Sequence, residues 1–265
     1  MTPDAHWFHA AALGLGLGAL LASGVWAVSV AKRDVSIVDS AWGLLVLAPA
    51  LVIVAMLPHS GPRASVVLTL AVVWALRLSL HIAWRHRGQP EDRRYQAIRT
   101  RNEPHFAWKS LYLVFGLQAL LAWIVAAPLM ATVASLAPWN ALDALGLALA
   151  VFGLLFETVA DAQLSRFRAD ARNRGQVMDR GLWRFSRHPN YFGELSFWFS
   201  MALFGVGAAP ADWWWLFVGV VAMLAMFLGA SIPLMEKRSL ERRPHYQAVI
   251  DRVSRLVPRP PKAAV

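Results

Sequence analysis

Seven stretches of mostly apolar residues run through the chain, at 10–30, 36–57, 64–84, 110–136, 141–160, 192–209 and 213–235. A helix needs about 20 such residues to cross the hydrocarbon core of a bilayer. Inside lipid only helices and closed barrels satisfy their own backbone polar groups, so a chain built this way folds as an all-α integral-membrane bundle. Composition agrees: 57% of the 265 residues are hydrophobic and 16% are charged, against about 25% charged in a soluble domain. Cysteine is absent, which excludes thiolate metal sites, iron–sulfur clusters and cysteine nucleophiles. No lysine or arginine precedes Lys32. The first stretch therefore lacks the basic leader of a signal peptide and reads as a span.

The basic residues orient the bundle. Lys32 and Arg33 join the first two spans, six arginines lie in 85–105, seven in 161–191, and eight lysines and arginines follow residue 236. That gathers 23 of 26 basic residues on one side, leaving Arg63 in a loop of the other side, Arg77 inside a span and Lys109 at the edge of one. The positive-inside rule puts the N-terminus outside and the C-terminus in the cytoplasm. The expectation is a single domain of seven transmembrane helices over 1–265, with cytoplasmic loops 85–105 and 161–191 and tail 236–265, in a bacterial inner membrane. Topology absorbs most of the +10 charge, so nucleic acid is not an expected partner, while membrane lipids are. The sequence does not encode a legible oligomeric state. Gly14, Gly16 and Gly18 follow no strand and read as small residues for close helix packing, not as a nucleotide loop.

Several polar residues stand out inside the apolar runs. Asp39 is in the second span, Arg77 and His81 in the third, Glu157 and Asp161 in the fifth, Glu194 at the start of the sixth and Glu236 at the end of the seventh. In the alternating topology all fall in the cytoplasmic half. Each costs roughly 2.5–3.5 kcal/mol at a helix centre, so such residues face the bundle interior and mark function by default. Arg77, His81 and Arg85 share one helical face, as do Glu157 and Asp161. The competing explanation is a structural ion-pair network that closes the inner end of the bundle, with Asp39 paired to Arg77 or His81. Asn173-Arg174-Gly175 reads as a helix stop. Ser186 to Tyr191 then re-enters the bilayer with Pro189 in a first helical turn, where backbone donors with Arg187, His188 and Asn190 suit a phosphate.

GLWRFSRHPNYFGE (181–194), PLMEKRSLERRPHY (233–246) and Val257-Pro258 resemble the C-terminal region of the steroid 5α-reductase superfamily. VDSAWG (38–43), WALRLSLHIAWRHRG (74–88) and FETVADAQLSRFRADARNRG (156–175) resemble its bacterial branch, the 3-oxo-5α-steroid 4-dehydrogenase-like proteins. Isoprenylcysteine and phospholipid methyltransferases share a related C-terminal half. The resemblance implies an NADPH-dependent reductase with its cofactor pocket facing the cytoplasm. Its hydride goes to the β-carbon of an enone in a lipophilic, steroid-like substrate that enters from the bilayer. An S-adenosylmethionine-dependent methyltransferase acting on a lipid or prenylated target is the alternative, and a non-catalytic transporter or scaffold a third.

Carried over by position, the family's second-span acid matches Asp39, an Asp in place of the steroid enzymes' Glu. Asp39 is expected to be protonated, or to hold a partner that donates in its place. The family's third-span tyrosine falls at Ile82, which leaves Tyr95 or His81 to polarise the carbonyl. Cofactor contacts match Arg85, Glu157, Asp161, Arg168, Asn173, Asn190, Tyr191, Glu194, Glu236 and Arg238, and the re-entry segment adds Arg187 and His188. No metal is expected.

Overall fold

The computed structural model describes residues 5–56 and 61–263, and all regular structure among them is helical. Among the described residues six helices are long and apolar enough to cross a membrane: His6–Lys32, Ile37–Met56, Pro62–His86, Phe106–Val125, Ala141–Ala169 and Pro210–Arg242. The chain is an integral membrane protein. The helix Pro189–Ala208 stands where the sixth of seven spans is expected, but is not one of the six. Asn190, Glu194, Ser196 and Ser200 dilute its apolar character. The expected span 110–136 is two helices, Phe106–Val125 and Ala127–Val133. Pro128 sits in the first turn of the second, where a residue without an N–H starts a helix but cannot continue one.

The chain divides into two compact units, 1–143 with 204–219, and 144–203 with 220–265. In the first unit α1 (Ala5–Lys32) packs on α2 (Ile37–Met56), and α2 packs on α3 (Pro62–His86) and on Leu117–Val125. A Cβ on Gly14 would lie 2.9 Å from the Cα of Pro49 on α2, whereas one on Gly16 or Gly18 would meet nothing. One glycine of the three therefore carries the close packing. Phe106–Val125 widens into a π-helical turn over Leu111–Gly116, and the Leu117 N–H reaches back five residues to the Tyr112 carbonyl.

Arg63 is not a loop charge. It lies in the first turn of α3, wholly buried, with Nε 2.5 Å from Asp143 Oδ1 and Nη2 2.6 Å from Oδ2. The carbonyls of Ala137 and Pro138 accept further bonds from its guanidinium at 3.2 and 3.0 Å. A fully buried cation needs this complement of acceptors, because an unpaired one costs several kcal/mol.

In the second unit, the helices Ala141–Ala169 and Pro189–Ala208 approach through glycine. A Cβ on Gly153 would lie 2.7 Å from the Gly193 carbonyl, and one on Gly193 would lie 2.7 Å from the Glu157 nitrogen. The connecting segment is strapped back along the first of these helices. Trp183 Nε1 donates to the Ala160 carbonyl at 2.9 Å and the Leu182 N–H to Gln163 Oε1 at 2.9 Å. The C-terminal tail docks beside this segment: the Arg187 N–H donates to the Ser254 carbonyl, and the Arg259 N–H to the Phe185 carbonyl.

Candidate active site

In the first unit the site is built by one short helix folded back on the start of α2. Asp92 caps α4 (Arg93–Asn102), accepting from the Arg94 N–H at 2.7 Å, as a capping carboxylate does for an orphan donor of a first turn. The Asp92 N–H donates to Ser36 Oγ at 2.7 Å, and Glu91 Oε1 accepts from the Val35 N–H and from Arg99 at 2.9 and 2.7 Å. These contacts fix 91–99 against 34–39. They deliver two consecutive side chains to Asp39: Arg94 Nη2 lies 2.6 Å from Oδ2, and the Tyr95 hydroxyl lies 2.6 Å from Oδ1. Gln118 Nε2 in turn donates to the Tyr95 oxygen at 3.2 Å.

Asp39 thus accepts on both oxygens, and its partners are Arg94 and Tyr95, not Arg77 or His81. Tyr95 is buried. Burial, with the Asp39 charge behind it, pushes its phenol well above the usual tyrosine value, so the hydroxyl keeps its proton at neutral pH. Gln118 fills one lone pair of the phenol oxygen, and Arg94 holds the second oxygen of the carboxylate. His81 is half-buried one turn before Arg85, its ring centroid 6.4 Å from that of Trp84. Arg85 is exposed in the last turn of α3.

The second unit holds the remaining expected residues in three groups. Glu157, Asp161 and Glu194 are buried. Asn190 Nδ2 donates to Asp161 Oδ1 at 3.2 Å and Trp198 Nε1 to Glu194 Oε1 at 3.1 Å. The second group is a buried clamp. Arg187 Nε lies 2.7 Å from Glu236 Oε1, its Nη1 donates to the carbonyls of Ile250 and Val253, and His188 Nε2 lies 3.2 Å from the same Glu236 oxygen. Arg187 and His188 face inward onto Glu236 and the tail, so the re-entry segment does not present them to a phosphate as its sequence suggests. Burial lowers the His188 pKa, against the pull of Glu236. Tyr191 stacks on Phe227 at 4.1 Å and 6°, and on His188 at 5.7 Å and 17°. Phe227 opens a second π-helical turn, Phe227–Ser231.

The third group lines a cavity of about 260 Å³ formed by residues 167–171 and 173–176 with Arg243. Arg168 and Asn173, both expected, line it together with Arg174 and Arg243, which sequence reasoning did not single out. Arg238 is half-buried two residues beyond Glu236. Arg94 and Gln118 are the main omissions of the sequence reading. The dipeptide Arg94-Tyr95 in the first turn after a capping Asp92 was the available signal for the first; nothing marks Gln118 except an amide inside an apolar run.

Residues 25–253 match a family described as proteins of unknown function, DUF1295. An uncharacterized protein of Schizosaccharomyces pombe is 27% identical over an alignment covering 93% of this chain and 79% of its own length. No solved structure matches the chain.

Proposed function

The chain belongs to the DUF1295 family, a steroid 5α-reductase-like family of membrane proteins, and from that premise we propose that it is an NADPH-dependent reductase of the C=C bond of an enone in a lipophilic, steroid-like substrate. The proposal includes the finer placement: the bacterial branch of the superfamily, a seventh crossing by Pro189–Ala208, the N-terminus outside, and a site open to the cytoplasm of a bacterial inner membrane. The observation that carries the reading is the buried Tyr95 hydroxyl, 2.6 Å from an Asp39 that Arg94 also holds.

The donor set suits the cofactor. Arginines 168, 174 and 243 around one cavity match the phosphates of a dinucleotide, which guanidinium groups bind with paired hydrogen bonds. The Asp161–Asn190 pair offers an acceptor and an amide to its neutral parts. When bound, NADPH supplies a hydride to the β-carbon of the enone, leaving negative charge on the carbonyl oxygen.

In this reading Tyr95 answers that charge. Its hydroxyl turns from Asp39 to the carbonyl oxygen, Gln118 keeps the phenol oriented, and Arg94 compensates the carboxylate left behind. One preorganised donor of this kind contributes about 2.7–4 kcal/mol to the transition state. The raised Tyr95 pKa favours a hydrogen-bond donor over full proton transfer from the phenol.

The test is a thermal-shift comparison of NADPH, NADH and S-adenosylmethionine on the full-length protein in detergent, followed by NADPH absorbance with Δ4-3-oxosteroids. Stabilisation by NADPH with steroid-dependent loss of absorbance is the expected result. Stabilisation by S-adenosylmethionine alone would replace the reading with methyl transfer, and no shift with any of the three would refute catalysis by either route.

A further inference from the structure

Independently of the reductase reading, we infer that the C-terminal tail, strapped on the segment before the Pro189–Ala208 helix, is a docking surface for anionic phospholipids. Phe185 and Val257 enter the interfacial layer of the bilayer, and Arg184, Arg259 and Lys262 hold the anionic head groups.

The tail is held in one shape. The Arg187 N–H donates to the Ser254 carbonyl at 2.8 Å, Ser186 Oγ to the Leu256 carbonyl at 2.8 Å and the Arg259 N–H to the Phe185 carbonyl at 2.9 Å. The Lys262 N–H then returns to the Arg252 carbonyl at 3.0 Å, so 252–262 closes on itself. Pro258, Pro260 and Pro261 stiffen the returning chain, because each fixes its own φ. Arg187 sets the depth of this surface. Its Nε lies 2.7 Å from Glu236 Oε1, and Glu236 is six residues before the end of the apolar helix Pro210–Arg242, about 9 Å by helical rise. The clamp therefore ties the tail to the last turns of a helix long enough to cross a membrane, at the boundary between hydrocarbon and water.

Two properties of the surface select its partner. Phe185 is 39% exposed and Val257 48%, although hydrogen bonds fix the backbone on both sides. At a membrane boundary such side chains find apolar surroundings roughly 5–10 Å into the head-group and acyl layer. The second property is charge. Segments 180–187 and 252–263 contain no acidic residue, and Arg184, Arg259 and Lys262 are exposed. The buried Glu236 carboxylate is taken by Arg187, His188 and Arg255, at 2.7, 3.2 and 3.9 Å. Asp251, at the root of the tail, accepts from Gln247 at 2.8 Å. The surface is therefore net positive. An acidic protein would answer that charge alone, whereas an anionic lipid answers charge and apolar surface together. The positive-inside rule accounts for bases near a helix end, but it does not require them to be fixed beside two exposed apolar side chains.

The full-length protein in lipid nanodiscs tests the assignment. Because the chain has no cysteine, Val257→Cys gives a single site for a bimane fluorophore. Its quenching is measured with tail-brominated phosphatidylglycerol and tail-brominated phosphatidylcholine, each at low mole fraction in unbrominated phosphatidylcholine, and with aqueous acrylamide. A base near an anionic surface contributes about fivefold in association. Phosphatidylglycerol is therefore expected to quench at a mole fraction roughly tenfold lower than phosphatidylcholine, less so at high salt. Arg184→Gln/Arg259→Gln/Lys262→Gln in the same labelled protein should abolish the preference, with thermal melts establishing that it is folded. Equal quenching by the two lipids would overturn the assignment, as would a preference that the triple variant keeps. A label open to acrylamide and untouched by either lipid would put the tail in water and overturn it too. A label shielded from all three quenchers would replace the lipid by a protein occupant, a second copy of this chain included.

Discussion

Replacing Asp143 by Asn should destabilise the protein more than any other isosteric change in the first unit. The substitution keeps the volume and removes the charge from an ion pair in which neither side chain is exposed. Arg63 now donates to both carboxylate oxygens, at 2.5 and 2.6 Å. An asparagine offers one oxygen and turns an amide donor toward the guanidinium. The carbonyls of Ala137 and Pro138 remain, so the cation keeps acceptors but loses its counter-charge. Breaking a buried pair from one side costs about 3–5 kcal/mol, which is about two to three and a half decades in the unfolding equilibrium. Reversible unfolding in mixed SDS micelles, followed by far-UV circular dichroism, measures it. The double variant Arg63→Met/Asp143→Leu should recover most of the loss, because replacing a buried pair by apolar residues is often neutral. A cost below about 1 kcal/mol for Asp143→Asn would refute the reasoning, given what one-sided removal of a buried partner normally costs. So would a double variant as unstable as the single one.

Tyr95→Phe should lower kcat on an enone substrate by roughly 10²–10³, the effect of one oxyanion donor, with NADPH affinity unchanged in a binding titration. Asp39→Asn should keep part of that activity through its single oxygen and Asp39→Ala little; steady-state rates of the two variants separate the cases. Arg187→Ala removes the bonds to Glu236, Ile250 and Val253, so limited proteolysis should cut the tail within 250–262 at a protease level that spares the wild type. Stability should also fall at both pH extremes. His188 has a lowered folded pKa, so acidification below its unfolded value of about 6.5 favours the unfolded chain, which binds the proton first. Burial raises the Tyr246 hydroxyl to about 12, so stability is complete below pH ~10 and lost as pH rises from there through the folded value. Melting temperatures across pH with His188→Gln and Tyr246→Phe should flatten the acid and alkaline limbs respectively.

The apolar spans were readable because a bilayer demands length and composition before any pattern. The exceptional residues inside them were readable for the same reason: Asp39, Glu157, Asp161 and Glu194 declare themselves against lipid. Their partners were not. The competing reading paired Asp39 with bases on the neighbouring span, yet it meets a dipeptide more than fifty residues on, because Ser36 holds the Asp92 N–H and the Val35 N–H holds the Glu91 carboxylate. Arg63 read as a stray charge because its counter-ion lies 80 positions away, in the opening turn of a helix whose first half is otherwise apolar. Arg187 and His188 looked like anion ligands by residue type, but local sequence could not show that the tail returns to occupy them. The sixth expected span is a helix of the right length whose serines and acid make its apolar character too weak to count with the other six.

The π-helical turn at Leu111–Gly116 makes the spacing of this helix more negotiable here than in its regular turns. It carries one residue more than ordinary winding needs, so one residue deleted between 111 and 116 would let the ladder close to an α-helical turn and leave Gln118 facing the Tyr95 oxygen. A helix advances about 100° per residue, and the same deletion in a regular turn would re-aim every side chain beyond it by that angle. Gene-level drift should therefore tolerate the loss of one residue in this stretch and reject it in the regular turns. A single-codon deletion here would give a protein that inserts and folds with its phenol still steered.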